Sequence, residues 1–95
     1  MVAYIIATID VHDSAAYDTY RAKVPETLAK YGGKFVVRGG PHETLEGDWH
    51  PKRVVVLEFP SMDAAKRWYN SPEYRPLIAI RKGASSGALV AVEGV

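Results

Sequence analysis

Two charged side chains interrupt apolar runs in the middle of the chain. Arg38 ends the run Phe35–Arg38, and Glu58 lies near the end of the run Arg53–Phe59. A charge on a buried sheet face is costly unless it is paired. Both positions are equally far along the chain from Asp48, so a hairpin that turns there without a net bulge places them directly opposite each other. The pattern therefore predicts a bidentate ion pair.

Two roles are open for this pair. As a structural pair, Arg38 and Glu58 would fix the register of the hairpin or a dimer interface, a role that buried ion pairs can have. As a functional pair, Arg38 would bind a carboxylate or an enolate while Glu58 moves a proton, which makes both residues candidate catalytic groups. The two glycines that follow, Gly39 and Gly40, could insert a bulge and break the pairing.

The three histidines, His12, His42 and His50, lie in polar stretches that are predicted to be loops. If these loops open at the same end of the fold, the three imidazoles could bind a metal or act as acid and base. Their spacing lacks a metal motif such as His-Glu-x-x-His, so solvated loop side chains are the favoured interpretation. We therefore predict no metal site and no cofactor.

Five further side chains are candidates for a ligand pocket: Tyr4, Thr8, Trp49, Tyr69 and Tyr74. Trp49 lies in a polar turn, where it could cover the mouth of a pocket or pack on a partner protomer, and packing is favoured. Tyr69 and Tyr74 flank a break between helical segments, where core roles are favoured over ligand contacts. Tyr4 and Thr8 share the mixed face of the first strand.

Composition restricts the class of protein. The chain has 95 residues, 47% of them apolar and 24% charged, with a net charge of +1, as is typical of one soluble globular domain over residues 1–95. This charge does not favour nucleic acid or a membrane surface. The basic pairs Lys52-Arg53 and Arg81-Lys82 are interpreted as solvated ends of a strand and a helix.

The types of residue exclude some sites and locations. Because the chain has no cysteine, disulfides, thiolate catalysis and Cys-ligated zinc are excluded. No apolar run approaches the roughly 20 residues that span a bilayer. The N-terminal apolar run lacks basic residues and is interrupted by Asp10, so it resembles a first strand more than a signal peptide, and we expect a cytoplasmic protein.

The first half of the chain predicts a strand, a helix and a hairpin. Residues 2–11 are rich in β-branched and aromatic types, as strands are. An apolar stripe at spacings of three and four residues follows the helix cap Asp13 and ends near Gly32. Pro25 should kink this helix or restart it. Residues 35–59 then form a hairpin of two strands.

The second half predicts further helices and a closing strand. Ser61 caps a helix, and the sequence Ser71-Pro72-Glu73 predicts a fresh helix start. Residues 83–87 are small and should form a loop, after which residues 88–95 form the last strand.

The resulting order, β-α-β-β-α-β, predicts an α+β ferredoxin-like fold, in which a four-stranded antiparallel sheet carries its helices on one face. The other face is expected to be apolar in parts, and a large apolar patch on a monomer calls for a partner. Sheet-to-sheet packing of two copies would cover it, so we predict a homodimer. The residues expected on that face are Tyr4, Ile6, Val36, Val54, Val56, Leu89 and Ala91.

Four segments, taken in order, resemble the small bacterial family labelled domain of unknown function 1330, within the dimeric α/β-barrel superfamily. With the first strand they span nearly the whole chain; they are Tyr31–Gly40, Leu45–Trp49, Arg53–Ser61 and Trp68–Leu77. The resemblance implies a ferredoxin-like protomer whose sheet packs on a second sheet to form a barrel. It implies no catalytic residues, because the family has no agreed activity. Superfamily relatives include cofactor-independent monooxygenases, lactone isomerases and haem-degrading enzymes, which favours a small-molecule pocket without determining its chemistry.

Two functional hypotheses follow. In the first, a homodimer binds or converts a small organic acid or ketone, by proton transfer or cofactor-free oxidation, in a pocket between sheet and helices or at the barrel mouth. In the second, the protein is a non-catalytic binding or assembly module in which Arg38 and Glu58 only hold the dimer. An open cavity would favour the first hypothesis, and a solid interior the second.

Overall fold

The computed structural model describes all 95 residues. The chain forms a four-stranded sheet and three helices, and every neighbouring pair of strands is antiparallel. The spatial order of the strands is β2-β3-β1-β4, so the predicted ferredoxin-like fold is confirmed. The elements are β1 (Ala3–Val11), α1 (Ser14–Ala29), β2 (Lys34–Arg38), β3 (Arg53–Phe59), α2 (Met62–Tyr69), α3 (Arg75–Ala84) and β4 (Ser85–Glu93).

The core lies between one face of the sheet and the helices. Side chains of a strand alternate between its two faces, and in β1 every second residue from Ala3 to Ile9 is buried while the residues between them are less so. The largest fully buried side chains are Trp68, Tyr74 and Phe59. Large aromatic side chains therefore lie between the sheet and the helical layer.

Local sequence signals determine where the helices begin and end. The side chain of Asp13 accepts a hydrogen bond from the backbone N–H of Ala16, and Ser61 caps α2 in the same way through Ala64. These bonds satisfy backbone donors that a helix leaves free in its first turn. After α1, Gly32 has φ +74°, a conformation that glycine adopts without strain.

Two expectations about local structure are wrong, and a third is narrowed. Of the two outcomes expected at Pro25, a kink or a restart, the restart is excluded because α1 runs continuously through this residue. The segment Ser71–Tyr74 is a turn held by the Ser71 hydroxyl, which accepts from the N–H of Tyr74, and α3 begins only at Arg75. Residues 83–87 form no loop, since β4 follows α3 directly.

The two faces of the last strand are also exchanged relative to the sequence prediction. In β4, Leu89 and Ala91 pair with Ala7 and Ile5 of the buried face, because residues directly opposite in an antiparallel pair share a face. The open face instead carries Val90 and Val92, which are largely exposed. The face opposite the helices, here called the open face, is therefore apolar as predicted, but with different residues from β4.

None of the three helices has both the length and the apolar character needed to cross a membrane.

Candidate functional site

A bulge in β2 separates the two charges that the sequence placed together. The pairing register shifts between Phe35 and Val37, so Arg38 lies opposite Val55 instead of Glu58. An extra residue in one strand turns all later side chains to the other face. Arg38 consequently lies on the helix side of the sheet. The predicted Arg38–Glu58 pair is wrong.

Glu58 remains on the open face. It lies opposite Lys34, and Glu58 Oε2 is 3.3 Å from the Lys34 ammonium nitrogen. The side chains are 69% exposed for Lys34 and 26% for Glu58, so water solvates much of this pair. Glu58 is thus separated from the helix side by the sheet itself, which removes it as a proton carrier for any ligand bound there.

The helix side of the sheet contains a small cavity of about 40 Å³ that is partly open to solvent. Its walls are aliphatic and aromatic side chains from β1, β3, α1 and α2, including Ile5, Val55 and Trp68. Its polar groups come from four arginines and three tyrosines: Arg21, Arg38, Arg53, Arg81, Tyr17, Tyr20 and Tyr74. No aspartate, glutamate or histidine lines it.

Arg53 is the central cation of this cavity. It lies on the same face of β3 as the buried residues Val55 and Leu57, and opposite Ile9 of β1. Its side chain therefore points toward the helices. Its guanidinium carbon lies 5.7 Å from the centre of the Tyr17 ring, within range of a cation–π contact. Its Nε atom is buried and has no hydrogen-bond partner, which is costly for a charged donor.

Gly39 makes room for the Arg53 side chain. Its N–H donates to the carbonyl oxygen of Val54 at 2.9 Å, and its φ of +70° is in the left-handed region. A Cβ at this position would overlap the Arg53 guanidinium. The glycine therefore permits the guanidinium to pack directly on the backbone at the end of β2.

Two other arginines surround the open side of the cavity. The guanidinium carbon of Arg38 lies 4.3 Å from the centre of the Phe35 ring, and its side chain is exposed. Arg21 is bound by Asp18 at 3.0 Å on the surface of α1. No carboxylate lies within ion-pair distance of Arg38 or Arg53. The open side of the cavity therefore carries positive charge that the protein does not neutralise.

The buried side of the cavity contains a hydrogen-bonded group of Tyr20, Tyr74 and Arg81. The hydroxyls of Tyr20 and Tyr74 are 2.7 Å apart, and Arg81 Nη1 donates to the Tyr74 hydroxyl at 2.9 Å. All three residues are buried. Burial raises the pKa of Tyr20 and of Tyr74 above the ordinary value of 10.0. Both phenols therefore keep their protons at neutral pH and act as uncharged donors.

The lining as a whole can donate hydrogen bonds but offers few acceptors. Guanidinium groups only donate, and a protonated phenol can donate as well as accept. A negatively charged or carbonyl-bearing molecule fits such a site, and a cation does not. The cavity also lacks a carboxylate or an imidazole that could act as a general base.

Of the sequence-predicted site residues, only Arg38 and Tyr74 line this cavity. Tyr4 lies on the open face, across the sheet from it. Tyr69, the last residue of α2, is half-buried in a separate groove next to β4. Thr8 and the 63% exposed Trp49 line a shallow depression near the β2–β3 loop, so Trp49 does not cover the cavity.

The histidines are exposed loop residues, and no group of three or more His, Cys, Asp or Glu side chains is arranged to hold a metal ion. The ring nitrogens of His42 lie 3.3 Å from the Gly40 carbonyl oxygen and 2.6 Å from that of Pro51. His42 therefore closes the base of the β2–β3 loop. His50 Nε2 lies 3.5 Å from Asp48.

Sequence reasoning did not place Arg53, Arg81, Tyr17 or Tyr20 at this cavity. Arg53 and Arg81 had been interpreted as solvated ends, but both contact the cavity, and Arg81 is only 7% exposed. A signal was present, because Arg53 alternates in phase with the buried residues of β3 and Arg81 falls in the apolar stripe of α3. A charged residue at a position whose spacing predicts burial was the pattern that indicated a site.

Solved structures of similar fold come from several bacteria. A protein of unknown function from Rhodopseudomonas palustris is 21% identical, with a TM-score of 0.81 over 99% of this chain and 82% of that one. SnoaB, a cofactor-independent oxygenase from Streptomyces nogalater, is 16% identical, with a TM-score of 0.68 over 99% of this chain and 93% of its own. A dimeric ferredoxin-like protein of unknown function from Jannaschia sp. CCS1 is 13% identical, with a TM-score of 0.72 over 99% and 100%.

These similarities concern the fold, since the identities are low and one fold supports many functions. Comparison with curated proteins gives no match. Residues 2–95 match the family described as Domain of unknown function (DUF1330), in agreement with the four resembling segments. The chain is a member of the DUF1330 family.

Proposed function

We propose that this protein binds a small organic acid or ketone in the cavity between the sheet and the helices, and that it does so as a homodimer. One observation carries the ligand part of the proposal. The cavity is lined by apolar walls, arginines and tyrosines, and no carboxylate pairs with Arg38 or Arg53. Pockets that combine apolar walls with a few convergent polar groups are the usual form of small-molecule sites.

The charges favour the acid. Arg53 has a buried Nε donor without a partner, and an unsatisfied buried donor costs free energy that a ligand oxygen would recover. Guanidinium groups bind carboxylates through two parallel hydrogen bonds. Arg38 and Arg53 line both the cavity and a second depression outside it, next to Asp18 and Arg21 of α1. This placement would put a carboxylate at the mouth and an apolar body inside.

The arrangement of side chains supports ligand binding, and it does not support proton transfer by Glu58. Glu58 lies on the opposite face with Lys34, and no other acidic side chain lines the cavity. The similarity to SnoaB is one of fold, so it adds no oxygenase residues to this proposal.

The open face supports self-association. Val90 is 59% exposed and Val36 is 52% exposed, beside half-buried Tyr4, Ile6 and Val56. An apolar patch of this kind is a typical interface, and solved relatives of the same fold are dimeric. A second copy of the sheet would cover the patch with matching residues, while the cavity of each protomer stays on the outer side.

The alternative, a non-catalytic assembly module, depends on the open face alone. The Arg38–Glu58 pair that would have held the dimer is absent, because Arg38 lies on the other side of the sheet. The module hypothesis predicts dimerisation without any ligand. The two functions are therefore separated by ligand binding and not by oligomeric state.

The test is a thermal-shift comparison of hexanoate, 2-hexanone and hexylamine on the wild type, Arg53→Met and Lys52→Met. Lys52 is the adjacent exposed residue and does not line the cavity, so its variant loses the same charge without touching the site. We expect hexanoate to stabilise the wild type and Lys52→Met but not Arg53→Met. Equal stabilisation by hexylamine, or by hexanoate in Arg53→Met, would contradict the proposal.

A further inference from the structure

The two phenol hydroxyls at the buried side of the cavity carry one more proton than the hydrogen bond between them requires. Tyr20 and Tyr74 bring two O–H groups, and they make a single hydrogen bond to each other at 2.7 Å. One phenolic proton is therefore left to donate elsewhere, and neither hydroxyl donates to any other acceptor in the protein. A buried donor of this kind calls for an acceptor.

Arg81 biases which of the two phenols holds the spare proton. Its Nη1 donates to the Tyr74 oxygen at 2.9 Å, so that oxygen already accepts a charge-assisted hydrogen bond. A hydroxyl that accepts from a cation becomes a stronger donor and a weaker acceptor. Either hydroxyl could donate in the 2.7 Å contact. The bond from Arg81 favours Tyr74 as its donor, which leaves the O–H of Tyr20 free to face the cavity.

The cavity thus has donors at two separate places with an apolar wall between them. Arg53, with its unpartnered Nε, contacts the Tyr17 ring near the mouth. The Tyr17 ring is followed along α1 by Tyr20, whose ring centre is 5.4 Å away. Both donor groups line the same cavity. A ligand that satisfies both must carry two acceptor groups joined by an apolar segment.

We infer that the ligand is an oxo acid, with its carboxylate on Arg53 and its carbonyl oxygen on the Tyr20 hydroxyl. This inference rests on the proposed function and adds the second recognition point. A simple fatty acid would leave the Tyr20 proton unpaired, and a simple ketone would leave Arg53 unpaired. Specificity arises from this cost, because a site built to donate hydrogen bonds rejects analogues that cannot accept them.

The experiment measures the binding of 5-oxohexanoate, hexanoate and 2-hexanone by calorimetry. Two further oxo acids, 4-oxopentanoate and 6-oxoheptanoate, are each compared with their unsubstituted acid to cover neighbouring chain lengths. The oxo increment is the ratio of affinities of an oxo acid and its unsubstituted acid. We expect an increment of roughly two- to tenfold for the best-fitting length, the range of one neutral hydrogen bond. Tyr20→Phe should reduce it to about one.

Two features of the design keep the outcomes distinct. The unsubstituted acid is measured on the same variant, so a general loss of folding or packing cancels in the ratio. Tyr31→Phe is the matched control, because the Tyr31 hydroxyl donates to Glu73 at 2.8 Å, outside the cavity, and it should leave the increment unchanged.

An increment near one in the wild type, with hexanoate still bound through Arg53, would overturn the oxo-acid inference and leave the proposed function standing. An increment that survives in Tyr20→Phe would also overturn it. If neither hexanoate nor any oxo acid binds, the proposed function itself fails.

Discussion

Replacing Gly39 by alanine tests whether the backbone at the end of β2 positions Arg53. Gly39 has φ +70°, and a Cβ there would overlap the Arg53 guanidinium. Gly47, in the β2–β3 loop, has φ +87°, and a Cβ there would meet nothing within 4 Å. The variants Gly39→Ala and Gly47→Ala therefore share the backbone strain and differ in the displacement of Arg53.

The magnitudes follow from these two effects. A non-glycine residue in the left-handed region costs about 1–2 kcal/mol, and in a domain of this size each 1 kcal/mol lowers Tm by about 4–8 °C. Both variants should lose stability to that extent. The guanidinium is the flexible end of its side chain and can move aside. Its displacement should add little to the stability loss of Gly39→Ala, but it should remove the hydrogen bonds to a carboxylate, worth about 1.5–3 kcal/mol.

The assay pairs denaturant unfolding with calorimetric titration of hexanoate, at one protein concentration because a dimer has a concentration-dependent Tm. We expect Gly39→Ala to bind hexanoate about 10- to 100-fold more weakly than Gly47→Ala. Equal affinities for the two variants would refute the positioning of Arg53 by Gly39.

Three other perturbations have defined outcomes. Thr27→Val should destabilise the protein by about 1–3 kcal/mol in urea unfolding, because Thr27 Oγ1 accepts the indole N–H of Trp68 at 2.9 Å in the core. A double-mutant cycle of Arg38→Met and Glu58→Gln should be additive within about 0.5 kcal/mol, since the two side chains lie on opposite faces. Burial raises the pKa of Tyr20 above 10.0. The contribution of this phenol to the free energy of unfolding should therefore stay constant below pH 10 and fall as the pH rises above it, because the unfolded state ionises first, by about 1.4 kcal/mol per pH unit. Tyr20→Phe should reduce that slope in unfolding measurements between pH 9 and 11.

Each of these has a control and a contrary result. Thr19→Val removes an exposed hydroxyl from the same helix and should change stability by less than about 0.5 kcal/mol; equal losses for Thr19→Val and Thr27→Val would refute the role of the indole bond. Strong coupling between Arg38 and Glu58 would contradict the register of β2. An unchanged slope above pH 10 in Tyr20→Phe would show that this phenol ionises alike in both states.

Alternation and capping were sufficient to predict the fold. The β1 side chains alternate as the sequence indicates, and Asp13 and Ser61 cap the helices where expected. Each of these signals depends on residues within one or two turns of chain, and propensity and burial agree on them. The element order then restricted the topology to a few arrangements, of which the observed one is the ferredoxin-like sheet.

The candidate site was less predictable, because it depends on register. A bulge at Val36 turned Arg38 to the helix side, and the sequence Gly39-Gly40 had only indicated that a bulge was possible. A strand that shifts by one residue exchanges its faces completely, which also accounts for the misplaced Leu89 and Ala91. The contact between Tyr20 and Tyr74 joins residues 54 positions apart, and no local pattern reports such a pair.

The central claim, that an organic acid binds at Arg53, is tested most directly by the side-chain Nε–H signal of that residue in ¹⁵N NMR spectra. The Nε atom is buried and unpartnered, and its signal can be assigned by its loss in Arg53→Lys. We predict that this signal shifts on titration with 5-oxohexanoate and saturates at the affinity measured by calorimetry. A bound probe that leaves the Arg53 signal in place while shifting amides of the open face, such as Val90, would contradict the account.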